Sequence, residues 1–191
     1  WGKRLILRAF GPQMDTPMIV TLTPNPVLDR TLTVPRIEFD GVLRATSTRL
    51  DWGGKGFNVS RALHALGTES VAMAFVGGGT GQMVQQGLRD LGIATDFVAI
   101  AGETRTNVVV VDQATGRHIK VNEVGPTISA LEHDELLQRI RRRVQPGDLW
   151  VRAGSLHPGP PASFYACVLD PPHTSGARAS RDASGEPLRL G

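Results

Sequence analysis

Apolar residues along the chain follow either a strand-like or a helix-like period. Met18-Ile-Val-Thr-Leu-Thr23, Ser70-Val-Ala-Met-Ala-Phe-Val76 and Asp148-Leu-Trp-Val-Arg-Ala-Gly154 are short apolar runs, as expected of strands covered on both faces. Between them, apolar residues recur at helical spacing. One set is Val59, Ala62, Leu63 and Leu66 before Gly67, and another is Met83, Val84, Leu88 and Leu91 before Gly92. In the third, Leu136, Leu137, Ile140 and Val144 follow a capping box of Ser129 and Glu132 and precede Pro146-Gly147. This rhythm predicts parallel α/β units. Residues 31–35 and 42–50, around Asp40-Gly41, alternate polar and apolar instead. So do residues 106–112 and 117–122, around Gln113-Ala-Thr-Gly116. They predict half-exposed antiparallel strands that can join into one flap beside the main sheet.

The two ends lack this order. Residues 1–17 are basic and then briefly apolar, with no small-residue cleavage site, and Met18 reads as a natural start, so they are expected to form a disordered extension. Beyond Tyr165, consecutive prolines at Pro171 and Pro172 stop the helix that begins near Ser163. Ala177-Arg-Ala-Ser-Arg181 is too polar for the buried strand that the rhythm demands there.

Composition narrows the class. The chain has 191 residues, ordinary apolar content and no run long enough to span a bilayer. Its single cysteine, Cys167, excludes an intramolecular disulfide and fits a cytoplasmic location. The histidines show no metal-ligand spacing. Net charge is +3, and much of the excess lies in Arg139-Ile-Arg-Arg-Arg143, where arginines complement a helix dipole and face solvent. No aromatics interleave with them, which argues against nucleic acid, and nothing indicates a membrane.

The candidate chemistry sits in Asp51-Trp-Gly-Gly-Lys-Gly-Phe-Asn58. A glycine-rich loop opening a helix, with Asn58 placed to cap it, is an anion site: backbone N–H groups and the dipole point into the loop. Gly53, Gly54 and Gly56 permit close approach of a ligand, and Lys55 adds a charge or is a solvated turn lysine. Gly56 after Lys55 excludes the phosphate loop of GxxxxGK[ST] type, and the Gly77 to Gly81 segment lacks the third glycine of a dinucleotide fingerprint. Gly154-Ser155 is not a nucleophile elbow. Asp29, past the end of the first strand, suits either a sugar hydroxyl or a turn. Arg105 suits a phosphate or the surface.

Several motifs together resemble the PfkB-type carbohydrate kinases. They are Thr23-Pro-Asn-Pro-Val-Leu-Asp29, Gly53-Gly-Lys-Gly-Phe-Asn-Val-Ser-Arg-Ala-Leu63, Thr104-Arg-Thr-Asn107, Asn122-Glu-Val-Gly-Pro126 and Gly154-Ser155-Leu156. The branch most similar comprises 1-phosphofructokinases and tagatose-6-phosphate kinases. The resemblance implies a ribokinase-like three-layer α/β sandwich with a small β-sheet lid, its segments near residues 31–50 and 105–122, C-terminally truncated within residues 18–191. It also implies a homodimer through the lid. By this resemblance Asp29, Gly53, Gly54 and Asn58 hold sugar hydroxyls, Lys55 and Arg105 neutralise the substrate's phosphate, and Asn107 orients it. Arg44 and Ser155 belong to the same pocket.

The implied reaction transfers the γ-phosphoryl of ATP, with Mg²⁺, to fructose 1-phosphate. The alternatives are a sugar-phosphate-binding remnant without activity, or a kinase of ribose or a nucleoside. The Gly-Ala-Gly-Asp motif that supplies the family's base and the Asn-x-x-Glu motif that supports its metal are both missing, so the chain contains no catalytic residue or metal ligand of its own. His157 stands where the family continues Gly-Ser-Leu with proline. Family character also lapses between Leu169 and Asp182, as compensating frameshifts would produce.

Overall fold

A computed structural model describes residues 17–158 and 175–182. The first residues of the extension and the helix expected near Ser163 lie outside this range. In order, the described elements are β1 (Ile19–Thr23), β2 (Val27–Val34), β3 (Ser47–Gly53), α1 (Lys55–Ala65), β4 (Ser70–Val76), α2 (Gly78–Asp90) and β5 (Ala94–Ala99). Then come β6 (Arg105–Asp112), β7 (His118–Asn122), α3 (Ala130–Arg143), β8 (Leu149–Ala153) and β9 (Arg178–Asp182). A parallel sheet runs in the order β5-β4-β1-β8-β9, and a second sheet in the order β3-β2-β6-β7.

Alternation along the strands creates the layers. In β4, Met73 and Phe75 face one side, where they join Val20, Leu22 and Trp150 under Leu136 and Ile140 of α3. Ala72, Ala74 and Val76 face the other, against Phe57 of α1 and Val84 and Leu88 of α2. Small alanines on this side let two helices seat closely. Buried Ser60 of α1 satisfies its hydroxyl with Thr21 at 2.7 Å and Ser70 at 3.0 Å.

The flap strands do form one sheet, with shifted bounds: β2 starts at Val27 rather than at residue 31, and residues 42–46 precede β3 instead of belonging to it. β2 pairs antiparallel with β3 from Val27↔Gly53 to Thr33↔Ser47, and parallel with β6 from Val27↔Arg105 to Val34↔Asp112. β7 completes it along β6.

One strand was not expected, and three expectations need correction. β5 escapes the hydrophobic pattern because it is an edge strand in which only Phe97 and Val98 are buried. β9 forms despite its polarity, pairing with β8 from Leu149↔Arg178 to Ala153↔Asp182. At the sheet edge Arg178 and Ser180 point to solvent while Ala177 and Ala179 pack on the core. The α3 arginines are not all solvated: Arg139 and Arg143 reach Asp96 of β5 at 2.9 and 2.8 Å. Asn58 does not cap α1. The N-cap is Gly54, and the Asn58 side chain bonds Arg61.

Candidate functional site

β1 ends at Thr23, and Pro24-Asn25-Pro26 turns the chain out of the main sheet into β2. Two residues into β2, Asp29 lies in a cross-strand row with Asp51 of β3, Asn107 of β6 and Asn122 of β7. Residues in one row share a face of the sheet. Asn107, 6% exposed, donates from Nδ2 to Asp29 Oδ1 at 2.9 Å. Its own Oδ1 is buried with no partner, as is Oγ1 of Thr23. A buried acceptor left unsatisfied is costly, and a ligand hydroxyl would satisfy it.

The glycines have a more local reason than ligand access. A Cβ at Gly53 would collide with the Asp29 carboxylate and lie 2.6 Å from Val27 Cγ1. At Gly54, whose φ of 147° itself disfavours a side chain, a Cβ would lie 2.6 Å from Thr23 Cγ2, and at Gly56 one would lie 2.5 Å from Thr23 Oγ1. These glycines therefore press β3 and the start of α1 against Thr23 and Asp29. Gly53 belongs to β3 itself, so strand passes to helix through the single residue Gly54. As N-cap, Gly54 offers α1 no side-chain acceptor. α3, by contrast, has its capping box, and α2 has the Glu103 carboxylate on the Thr80 N–H at 2.6 Å. The first N–H groups of α1 thus lack a side-chain cap, and Lys55 is exposed at its first position.

Arg105 opens β6 at the root of the same sheet. Its guanidinium donates to the carbonyls of Asn25 at 3.1 Å, Glu123 at 3.1 Å and Pro26 at 3.4 Å. Burial lowers its pKa below the ordinary arginine value, with Asp29 and Glu123 acting in the opposite direction. The structure thus brings together Asp29, Gly53, Gly54, Arg105 and Asn107, with Lys55 and Asn58 on the first turn of α1. Arg44 lies elsewhere. The β2–β3 register runs away from Gly53 toward Thr33 and Ser47, so Arg44 sits past the far end of the hairpin. From Asp29 to Thr33 alone is about 13 Å of strand. Ser155 is exposed in the turn after β8.

Sequence reasoning quoted Asn25 within the Thr23–Asp29 motif but gave it no role. Its side chain donates to Val124 O at 3.2 Å and Leu156 O at 3.3 Å, while its carbonyl receives Arg105. Three loops at the carboxyl ends of strands are stapled together by this one residue. A buried polar residue between two prolines was the available signal. Glu123 was quoted without a role too; its carboxylate accepts from the Thr106 N–H at 2.7 Å.

A profile described as pfkB family carbohydrate kinase matches residues 24–189. The chain belongs to this family. Tagatose-6-phosphate kinase of Staphylococcus epidermidis is 32% identical over 171 residues, 90% of this chain and 54% of that protein. The 1-phosphofructokinase of Bacillus subtilis is 36% identical over 171 residues, with 90% and 55% covered. Phosphofructokinase-2 from Escherichia coli in complex with fructose-6-phosphate superposes with a TM-score of 0.85 at 30% identity, over 92% of this chain and 57% of that one. The chain spans about half the length of these pfkB relatives. The ribokinase-like fold with its second, lid sheet is the expected one.

Proposed function

We propose that this chain supplies the acceptor-sugar half of a kinase that moves the γ-phosphoryl group of ATP to a ketohexose monophosphate, fructose 1-phosphate, giving fructose 1,6-bisphosphate. The observation that carries the proposal is the row of Asp29 and Asn107 over Gly53, closed at its end by Arg105. Asp29 is an acceptor and Asn107 both donor and acceptor, the combination that vicinal hydroxyls need. Arg105 can exchange neutral carbonyl partners for charge-assisted bonds to a phosphate, and Lys55 adds a second cation at a helix start. These two cations favour a phosphorylated sugar over ribose or a nucleoside. Relatives named for tagatose 6-phosphate and for phosphofructokinase activity support the same class.

ATP and Mg²⁺ belong to this reading through the family. No residue is assigned to either group: the described residues contain no cluster of three His, Cys, Asp or Glu, and the chain has neither Gly-Ala-Gly-Asp nor Asn-x-x-Glu. The chemistry assigned to the chain stops at holding and orienting the acceptor, and by itself it is proposed to be inactive.

The lid also carries the proposed homodimer contact. Rows Arg30-Val108-Val121 and Leu32-Val110-Ile119 lie on the face opposite Asp29. Ile119 and Val121 are 41% and 60% exposed there, an apolar strip suited to a second copy.

Thermal-shift measurements on the 191-residue chain test the assignment. Fructose 1-phosphate at a hundredfold excess over its Kd is expected to add about 2.7 kcal/mol of stability, tagatose 6-phosphate less, and ribose none. Ribose stabilising as well as the sugar phosphates would overturn the substrate class. ATP-dependent turnover of fructose 1-phosphate by this chain would overturn its inactivity.

A further inference from the structure

Helix α2 contains a glycine that its own backbone does not require. Gly87 is buried in the third turn of α2 and is not among the glycines with positive φ. Interior glycines weaken helices relative to alanine, so the reason for this one lies outside the helix. It lies in Trp52. A Cβ built on Gly87 would collide with Cε2, Nε1 and Cδ2 of the indole, which therefore rests directly on the helix backbone.

Trp52 sits in β3 between Asp51 and Gly53. Side chains alternate along a strand, so the indole reaches α2 while Asp51 and Gly53 face the pocket row. Leu28 and Leu50 accompany it into the cluster formed with Phe57, Val84 and Leu88. β3 cannot yield alone, because it is paired with β2 from Val27↔Gly53 to Thr33↔Ser47. Carbon atoms pack at about 3.5–4.0 Å, so a methyl group at position 87 would lift the indole by about 1 Å or more. Gly53, Asp29 and Asn107 would then move with the lid sheet, away from Thr23 and the start of α1.

We infer that Gly87 and Trp52 form a positioning pair that sets the lid half of the sugar pocket against the α1 half. The inference rests on the pocket reading above. Calorimetric titration with fructose 1-phosphate of the wild-type chain, Gly87→Ala, Trp52→Leu and the double variant tests it. Gly87→Ala is expected to weaken binding about tenfold or more in the wild-type background, since small misplacements are costly. In the Trp52→Leu background, where no indole stands in the way, the same change is expected to cost less than about twofold. Full affinity in Gly87→Ala, or an equal loss in both backgrounds, would overturn the inference while leaving the pocket intact. If Gly87→Ala fails to fold, a folded double variant binding like Trp52→Leu supports the pair, and a double variant that also fails overturns it. Absence of binding by the wild-type chain would remove the pocket itself, and the inference with it.

Discussion

Asp29 and Asn107 meet at 2.9 Å although 78 residues separate them, because β2 and β6 run parallel in register. A second side-chain pair lies deeper. His157, 4% exposed, stacks on His133 of α3 with Nε2 atoms 3.3 Å apart, and both rings meet Phe75 edge-on. Burial lowers the His157 pKa to about 4, with the Pro158 carbonyl opposing, His133 adding to the decrease and Glu132 opposing. Burial lowers His133 as well, against Glu132 and Asp134. A histidine whose folded pKa lies below its unfolded value contributes stability above pH 6.5, which is lost as pH falls toward 4. The loss is up to about 3 kcal/mol for His157. Denaturant unfolding between pH 7.5 and 5 is expected to show this slope, and His157→Leu to flatten it; an unchanged slope would show that other groups dominate. Asn25, which bonds the Leu156 carbonyl next to His157, also accepts from Arg105 on its own carbonyl.

Between elements, the contact of α3 with β5 shows how charge ties an edge strand down. Asp96 receives Arg139 on Oδ1 and both Nε and Nη2 of Arg143 on Oδ2. Arg139 also pairs with Glu135 one turn back, and its pKa is raised by Glu135 first and by Asp96, against burial. Asp96 is the less exposed of the two carboxylates and joins two elements, whereas Glu135 pairs within its helix. Asp96→Ala is therefore expected to cost about 1 kcal/mol and Glu135→Ala no more than about 0.5 kcal/mol in equilibrium unfolding. Equal costs would mean that the pair to β5 behaves as an ordinary surface contact. The helix itself was legible, since its capping box and apolar stripe are local signals. Its docking partner was not, because β5 has only Phe97 and Val98 to announce it.

For the whole molecule, the lid sheet has one polar face and one apolar face. Polar row residues Asp29, Asn107 and Asn122 lie on one side, and Val108, Val110, Ile119 and Val121 on the other. If the apolar strip holds two copies together, Ile119→Lys combined with Val121→Lys is expected to shift the chain from dimer to monomer in sedimentation velocity. Both positions are exposed in the single chain, so its own stability should change little. A wild-type chain that sediments as a monomer would exclude the lid dimer.

The sequence by itself determined the parallel units, the flap strands, the capped third helix and the motif residues Asp29, Gly53, Arg105 and Asn107, because each depends on periodicity or on contiguous residue types. Only the tertiary structure decided what depends on distant neighbours. Polar β9 is a strand because β8 offers it an edge, and Asn58 is relieved of capping because Gly54 makes the turn. Arg44 is held away from the pocket by strand register. The glycine segment reads in sequence as space for a ligand; in the fold that space is first taken by Thr23 and Asp29. Close packing between remote segments, invisible in a linear pattern, seats the glycine loop against Thr23 and Asp29.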